Sequence, residues 1–484
     1  MRPDRHNGRV EETGVRKTKI VATVGPASWD PSILVEMIEA GVDVFRLNFS
    51  HADEARHLKT VRDIREASQE AEREVGILGD LPGPKLRVGH FPHEFVEIVA
   101  GSDVTLTPGD GDGSATDIPV PWPEMTEVLN VGDTVYLADG TIRLEVTAKS
   151  AGSLTAHVHI GGPLSSNKGM NLPGIDAGLE AVSGTDLAWV DFAVANQIDL
   201  LAVSFVREAS DLDPVMERLR ELDSDIPVVA KIEKPEAAEA IEEIVEAADG
   251  IMVARGDLGI EVPLSKIPVL QKHLIAEAGH WSRPVITATQ MLASMVTEKR
   301  PTRAEVSDVA TAIFDGTDAV MLSEETAVGA HPVETIRVMD QIARATEPDL
   351  PYWDWLLNRT SQDEMDVSDS VTQSAVITSY RLGLKAIVVP TASGRTATVV
   401  AAHRPEVPVL AVTHSLQTLR RLRAVFGVEP VLHDQTREIR DLLYECADAA
   451  VEYGAADSGD LIAIVAGLSD LRLGTNLFEV HRVP

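Results

Sequence analysis

Eight short runs of apolar and β-branched residues recur along this chain, and helix-like segments separate most of them. This alternation is typical of parallel strands joined by crossover helices. In chain order the runs span residues 19–24, 42–47, 75–79, 198–205, 226–232, 250–254, 284–288 and 318–322. Because eight parallel strands close into a (β/α)8 barrel, the sequence predicts a TIM barrel of the α/β class.

The third and fourth runs lie far apart, and the residues between them read as strands of an all-β domain. Residues 133–137 and 154–160 alternate between apolar and polar, and turn signals follow or precede them at Asp139-Gly140 and 151–153. We therefore predict a small β-barrel domain at 88–167. It is inserted after the third barrel strand and divides the TIM barrel into residues 1–87 and 168–347.

Four further runs of buried-strand character follow the barrel, at 384–391, 407–412, 428–432 and 461–465. The segment EPDLP at 347–351 is rich in proline and acid, as expected of a domain boundary. A chain of 484 residues is also too long for one compact core. These features predict a separate C-terminal α/β domain at 348–484.

Composition excludes several classes of partner. The chain carries 76 acidic against 43 basic side chains, a formal charge of −33, whereas nucleic acids and anionic membranes require clustered cations. The acidic residues are spread along the whole chain, which favours a halophile-like protein of a high-salt cytoplasm; an ordinary acidic enzyme is the alternative. No apolar run approaches the roughly 18 residues of a membrane span, residues 1–17 are polar, and Cys446 is the single cysteine. We expect a cytoplasmic protein without disulfides.

Reactive side chains stand where the barrel runs stop, which is where the active site of a TIM barrel lies. The carboxylates Glu233 and Asp257 end neighbouring runs and are suited to hold one Mg²⁺ or Mn²⁺. Arg46 and Lys231 supply the positive charge that a phosphate needs, and the segment GDLG at 256–259 offers backbone N–H groups for a carboxylate. A divalent ion beside two cations is the equipment of phosphoryl transfer.

Several long motifs occur in one order along the chain: TVGPAS (23–28), RLNFSH (46–51), KGMNLPG (168–174), KIE (231–233), MVARGDLGI (252–260), ATQMLASM (288–295), RPTRAE (300–305) and MLSEETA (321–327). With these motifs the chain resembles the pyruvate kinase family over nearly its whole length. The resemblance implies a phosphotransferase that moves the phosphoryl group of phosphoenolpyruvate to ADP and yields pyruvate and ATP, the last step of glycolysis. It also suggests a homotetramer.

The resemblance assigns roles residue by residue. Arg46 and Lys231 would bind the transferring phosphoryl group, and Lys231 would stabilise the transition state. Glu233 and Asp257 would hold the divalent ion, while Gly256, Asp257 and Thr289 would hold enolpyruvate. Thr289 would act through a water relay that protonates the enolate, because a threonine hydroxyl has too high a pKa to be the sole acid. ADP or ATP would be bound by Asn48, His51, Arg87 and Lys168, with the inserted domain as a lid.

One position departs from the family pattern. Lys85 stands where potassium-dependent members carry Glu, so the charge is inverted. In those members the ion would be surrounded by Asn48, Ser50, Asp80 and the carbonyl of Leu81. An ammonium is a compact charge that could replace the ion, and we therefore expect turnover without K⁺. The alternative is that Lys85 points to solvent.

A loop in the C-terminal domain, TASGRTAT at 391–398, follows a strand and opens a helix, which is the form of a phosphate cradle. The alternative is a plain turn capped by Ser393 or Thr396. The family resemblance favours an allosteric, regulatory pocket for a phosphorylated effector, built from Thr391, Ser393, Gly394, Arg395 and Thr396.

Two other functions fit part of the sequence. A metal-dependent aldolase or lyase would use Glu233 and Asp257 to stabilise an enolate, but would leave Lys168 and the inserted domain without a role. A catalytically inactive metabolite sensor would lack some of the charged residues at the strand ends, and none is missing. Formation of ATP from phosphoenolpyruvate distinguishes both from a kinase.

Overall fold

The computed structural model describes residues 15–359, 366–433, 439–467 and 474–484. In the described part of the chain, no helix combines the length and the apolar character needed to cross a membrane.

The described residues of the first part of the barrel form three strands and two α-helices. They are β1 (Lys19–Thr23), α1 (Pro31–Glu39), β2 (Val44–Asn48), α2 (Glu54–Glu70) and β3 (Gly76–Asp80). Asp30 and Asp53 begin the two helices, because each carboxylate accepts a backbone N–H of the first turn. All residues of β1 and β3 are buried, as expected of parallel strands that are covered on both faces.

The inserted domain follows β3. Its elements are β4 (Val96–Ile98), β5 (Asp103–Pro108), β6 (Asp117–Val120), α3 (Met125–Val128), β7 (Thr134–Leu137), β8 (Ile142–Ser150), β9 (Ser153–Ile160), β10 (Gly162–Leu164) and β11 (Met170–Asn171). Six strands form a sheet in the order β11-β7-β8-β9-β5-β6, and β10 pairs with β4. Alternate residues of β8 and β9 point into one apolar core that is separate from the barrel core. The sheet includes β11, three residues beyond the range expected for the insert.

The second part of the barrel supplies the other five strands. Its elements are α4 (Gly184–Ala195), β12 (Leu200–Val206), α5 (Asp213–Glu221), β13 (Val228–Ile232), α6 (Pro235–Glu239), α7 (Ile241–Ala247), β14 (Gly250–Ala254), α8 (Arg255–Glu261), α9 (Ile267–His280), β15 (Val285–Ala288), α10 (Arg303–Asp315), β16 (Ala319–Leu322), α11 (Glu324–Ala327) and α12 (Pro332–Thr346). The eight parallel strands close in the order β1-β16-β15-β14-β13-β12-β3-β2. The predicted TIM barrel is confirmed, and each predicted run contains one strand to within about two residues at its ends.

The C-terminal domain is an α/β domain, as predicted. It contains α13 (Tyr352–Arg359), α14 (Val367–Leu382), β17 (Ile387–Pro390), α15 (Arg395–Ala402), β18 (Val409–Thr413), α16 (Leu416–Leu422), β19 (Val428–Leu432), α17 (Ile439–Glu452), β20 (Leu461–Ala466) and β21 (Leu477–Arg482). The strand order is β19-β18-β17-β20-β21, and β21 is antiparallel to β20. β21 was not predicted, since its half-buried residues lack the apolar run of a central strand.

Buried ion pairs join the C-terminal domain to the end of the barrel that lies away from the carboxyl ends of the strands. Lys19 Nζ, at the start of β1, lies 2.8 Å from Glu429 Oε1 of β19, and the lysine is 1 % exposed. Arg404 donates through two nitrogens to Asp318, at 2.9 and 3.0 Å. A buried charge that lost its partner would be strongly destabilising, so these pairs favour one arrangement of the two domains.

Candidate active site

The site lies at the carboxyl ends of the barrel strands. Parallel strands that close into a barrel bring these ends together, so residues distant in sequence become neighbours. Asn48 at the end of β2 is the register partner of Asp80 at the end of β3. Lys231 and Glu233 belong to the end of β13, and Asp257 lies in the first turn of α8, directly after β14.

Asp80 forms the centre of a buried charge network. Its Oδ2 accepts a hydrogen bond from Arg46 Nε at 2.6 Å, and its Oδ1 lies 3.1 Å from Lys231 Nζ. Lys231 also lies 3.0 Å from Glu233 Oε1 and donates to Ser204 Oγ at 2.7 Å. Asp80 is 1 % exposed, Lys231 8 % and Arg46 9 %. One carboxylate thus holds two cations at the mouth of the barrel.

The network determines the charge state of its members. Burial by itself lowers the pKa of an ammonium, but Asp80 and Glu233 together raise the pKa of Lys231 to about 12. Burial would raise the pKa of Asp80, yet Lys231 and Arg46 lower it below its ordinary value. Burial, with Asp257 and Asp80 nearby, raises the pKa of Glu233 although Lys231 opposes the shift. Lys231 is therefore a fixed cation at neutral pH. Additional positive charge near Glu233 would stabilise the charged form of its carboxylate.

Glu233 and Asp257 fit a divalent cation. Carboxylate oxygens are the ligands that Mg²⁺ and Mn²⁺ prefer. Burial raises the pKa of Glu233, with Asp257 and Asp80 adding to the shift, so a cation bound here would favour the charged form of Glu233. Glu233 Oε2 accepts the N–H of Phe205 at 2.8 Å, which orients the carboxylate. Among the described residues no group of three or more His, Cys, Asp or Glu is placed to hold a metal ion. Two protein carboxylates would therefore leave most coordination positions to substrate oxygens and water.

Thr289 lies in a strained loop after β15. Its φ is 72°, a left-handed conformation that is costly for a β-branched residue and that persists only when neighbours enforce it. Arg255 enforces it, because Nη2 donates to the carbonyl of Thr289 at 2.9 Å and Nη1 pairs with Asp308 at 2.7 Å. The structure thus places the Thr289 hydroxyl beside the first turn of α8.

One detail differs from the expectation that the GDLG segment offers free N–H groups. The N–H of Gly256 donates to Thr289 Oγ1 at 2.6 Å, and that hydroxyl donates in turn to the carbonyl of Ala288 at 2.6 Å. A side chain on residue 256 would meet Thr289 Oγ1 at 3.3 Å, so glycine permits this contact. A substrate carboxylate could use the N–H of Gly256 only after the Thr289 hydroxyl has turned away.

The four residues expected to contact nucleotide lie near one another. The pKa of His51 is lowered by burial and then by four cations, Arg87, Arg46, Lys168 and Lys85. Arg87 is held by a hydrogen bond from Nη1 to the carbonyl of Asn167 at 3.0 Å. Asn48 Oδ1 accepts the N–H of Ser50 at 3.1 Å. This cluster of cations, on the barrel and on the edge of the inserted domain, is suited to the phosphates of a nucleotide.

The residues of the expected monovalent site are largely occupied by protein contacts. Asp80 is bound to Arg46 and Lys231, and the carbonyl of Leu81 accepts a hydrogen bond from Ser204 Oγ at 2.7 Å. Lys85 does not point to solvent, since only 21 % of its side chain is exposed. Its Nζ lies 3.1 Å from Asp139 Oδ1 and 3.5 Å from Asp257 Oδ1. The lysine therefore adds positive charge beside Asp257.

Sequence reasoning missed Ser204 and Asp139, and it gave no role to Arg255, which stands at the end of the sixth run. Ser204 lies within the fourth predicted run, and the rule that strand ends carry chemistry could have found it. Arg255 directly precedes Gly256 in the motif at 252–260, so its proximity to the site was visible. Asp139 gave no such signal, because it lies in a hairpin turn of another domain.

The C-terminal loop has the form of a cradle. Thr391 Oγ1 accepts the N–H of Gly394 at 2.9 Å, and Gly394 has a φ of 86°, which glycine adopts without strain. Gly394 is the N-cap of α15, and neither Ser393 nor Thr396 caps this end; a plain turn closed by Thr391 is still the alternative to a phosphate cradle. Thr396 Oγ1 instead lies 2.8 Å from Thr475 Oγ1. Ser393 and Arg395 are exposed, where a ligand could reach them.

Comparison with known proteins agrees with this geometry. The profile of the family described as pyruvate kinase, barrel domain, matches residues 15–336, and that of pyruvate kinase, alpha/beta domain, matches residues 369–481. The chain is 44% identical over 470 residues to pyruvate kinase of Geobacillus stearothermophilus, covering 96% of this chain and 80% of the relative.

Two further relatives show the same relationship. Pyruvate kinase of Sporosarcina psychrophila is 40% identical, with 96% of this chain and 80% of the relative covered. Pyruvate kinase of Thermococcus litoralis is 38% identical, with 97% of this chain and 99% of the relative covered. With both domains matched and these identities over almost the whole chain, the protein belongs to the pyruvate kinase family and is a phosphotransferase.

Proposed function

We propose that this enzyme transfers the phosphoryl group of phosphoenolpyruvate to ADP and forms pyruvate and ATP. The observation that carries the proposal is the pair of buried cations, Arg46 and Lys231, that share Asp80 next to the carboxylates Glu233 and Asp257. The test is a coupled assay of pyruvate and ATP formation from phosphoenolpyruvate and ADP, with and without Mg²⁺ or Mn²⁺. An aldolase or lyase would form no ATP.

In the proposed mechanism the side chains mainly position the substrates and neutralise the negative charge of the transferring phosphoryl group. Arg46 and Lys231 face the transferring phosphoryl group, and charge that develops on its oxygens is stabilised by cations that Asp80 has already oriented. Glu233 and Asp257 would hold Mg²⁺ or Mn²⁺, which when bound neutralises substrate oxygens. The cluster of Asn48, His51, Arg87 and Lys168 would bind ADP.

Enolpyruvate would lie between α8 and the loop after β15. Gly256, Asp257 and Thr289 would line this position, and the strained backbone would hold Thr289 here while its hydroxyl turns from Gly256 towards the substrate. The hydroxyl would orient a water that protonates the enolate, because its own pKa is far from neutrality. The inserted domain would act as the lid that excludes bulk water during transfer.

The position of Lys85 leads to a prediction about the potassium requirement of this enzyme. Wild-type enzyme is expected to turn over without K⁺, whereas Lys85→Glu is expected to require K⁺, because a third carboxylate would then stand beside Asp257 and Glu233. Turnover is measured in tetramethylammonium chloride at fixed ionic strength, with and without KCl. Lys85→Gln, which removes the charge without adding an acid, is the matched control. A rise of wild-type turnover by more than about tenfold on adding KCl would contradict the claim.

The cradle at 391–398 is proposed to bind a phosphorylated effector through Thr391, Ser393, Gly394, Arg395 and Thr396. Arg395→Ala is expected to abolish an effector response of about five- to 150-fold and to change turnover without effector little, because the cradle lies in another domain from the chemistry. Initial rates are compared across sugar phosphates and nucleoside monophosphates. Arg381→Ala, an exposed arginine of the same domain, is the control. Equal responses of both variants would refute the assignment.

Membership of the family also suggests a role for each domain. The barrel (1–87 and 168–347) would be catalytic, the inserted domain (88–167) would be a lid, and the C-terminal domain (348–484) would be regulatory. We propose a cytoplasmic homotetramer, and the spread acidic excess of this chain supports a high-salt cytoplasm.

A further inference from the structure

A hairpin turn of the inserted domain reaches the substrate site of the barrel. The turn between β7 and β8 contains three successive residues with positive φ, Ala138 (50°), Asp139 (55°) and Gly140 (86°). The N–H of Ala138 donates to the carbonyl of Gly169 at 3.0 Å, which ties the turn to the segment that returns to the barrel. A side chain on residue 140 would meet Ile260 of α8 at 3.1 Å, so the turn lies against the barrel. These contacts fix the backbone of Asp139 next to the barrel.

Lys85 bridges this turn and the barrel. Its Nζ lies 3.1 Å from Asp139 Oδ1 of the insert and 3.5 Å from Asp257 Oδ1 of α8. The lysine side chain passes over Gly169, where an added Cβ would be 2.5 Å from Lys85 Cε. A lysine beside two carboxylates is positively charged at neutral pH. The ammonium beside Asp257 therefore also contacts a carboxylate of the inserted domain.

We propose that Asp139 is a positioning residue, which holds the Lys85 ammonium beside Asp257 when the inserted domain lies against the barrel. Substrate or a divalent ion that engages Asp257 would weaken the longer of the two contacts of Lys85. Asp139 would then be the partner that keeps the lysine in place. The inference rests on the proposed kinase function and on Lys85 as a fixed cation.

A double-mutant cycle tests the coupling of Asp139 with Lys85. Asp139→Asn is expected to lower kcat by about two- to fivefold in tetramethylammonium chloride of low ionic strength, the effect of an ion pair that is exposed on one side. In the Lys85→Gln background the same substitution is expected to have no further effect, because the partner is already absent. Asp139→Glu is expected to restore part of the loss. Asp110→Asn, an exposed acid of the same domain, is the charge-matched control.

Gly169→Ala gives a second test that changes no charge. The added methyl group would displace the Lys85 side chain, so kcat is expected to fall in the wild-type background and to stay unchanged in Lys85→Gln. Equal losses in both backgrounds, for Gly169→Ala and for Asp139→Asn, would overturn the proposal. So would an Asp139→Asn enzyme that behaves like Asp110→Asn.

Hydrogen exchange separates this inference from the proposed function. In enzyme without metal or substrate, amides of the 138–142 turn are expected to exchange faster in Asp139→Asn and in Lys85→Gln than in the wild type. In the double variant they are expected to exchange no faster than in either single variant. If the wild type formed no ATP, the proposed function would fail and this cycle would still report on the pairing. Additive exchange rates would show that Asp139 does not hold Lys85.

Discussion

Lys231→Ala is expected to lower turnover by about 10³- to 10⁵-fold, the range observed when a cation that stabilises a transferring phosphoryl group is removed. Lys231 is buried, charged at neutral pH and fixed by Asp80, Glu233 and Ser204, so it is already in place when charge develops. The Michaelis constant for phosphoenolpyruvate is expected to change less, because Arg46 remains. Steady-state kinetics with both substrates measure the two effects separately.

The Lys231 variant also needs a stability control. Removing a buried cation leaves Asp80 and Glu233 facing each other with less compensation, which costs on the order of 3–5 kcal/mol of unfolding free energy. Thermal unfolding identifies a temperature at which the variant is folded, and Lys231→Met separates loss of charge from loss of volume. A folded variant that loses less than about tenfold in turnover, or ~1.4 kcal/mol, would show that Lys231 does not stabilise the transition state.

Glu233→Gln is expected to lower turnover by about 10²- to 10⁴-fold, because a divalent ion stabilises the transition state by several kcal/mol and would lose one of its two carboxylates. The amide oxygen can still accept the N–H of Phe205, so the loop geometry should persist. Binding of Mn²⁺, followed by electron paramagnetic resonance without substrate, is expected to weaken as well.

Glu233→Gln is not expected to lose unfolding free energy, in contrast to Lys231→Ala. Burial disfavours the Glu233 carboxylate, and Lys231 keeps Asp80 as a partner in this variant, so a neutral amide should leave the unfolding free energy unchanged or higher. Glu236→Gln, an exposed carboxylate three residues further on, is the control. Mn²⁺ affinity like that of the control would exclude Glu233 as a ligand.

The sequence by itself determined the barrel and much of its mouth. β-branched runs that are buried on both faces are visible in local sequence, and their number predicted the closed barrel. The rule that strand ends carry chemistry then located Arg46, Lys231, Glu233 and Asp257 without knowledge of their contacts. β21 escaped because an antiparallel edge strand with half-buried residues carries a weaker pattern.

Only the tertiary structure decided which charges touch. Asp80 binds both Arg46 and Lys231, which lie 34 and 151 positions away along the chain, and Lys85 lies between carboxylates 54 and 172 positions away. The pattern of apolar residues along each segment indicates which segments are buried, but it does not indicate which distant segments they contact. Closure of the barrel and the position of the inserted domain bring distant segments together, and Coulomb interactions of a few ångströms depend on that closure. The sequence therefore identified the charged groups, while packing of the domains determined which of them pair.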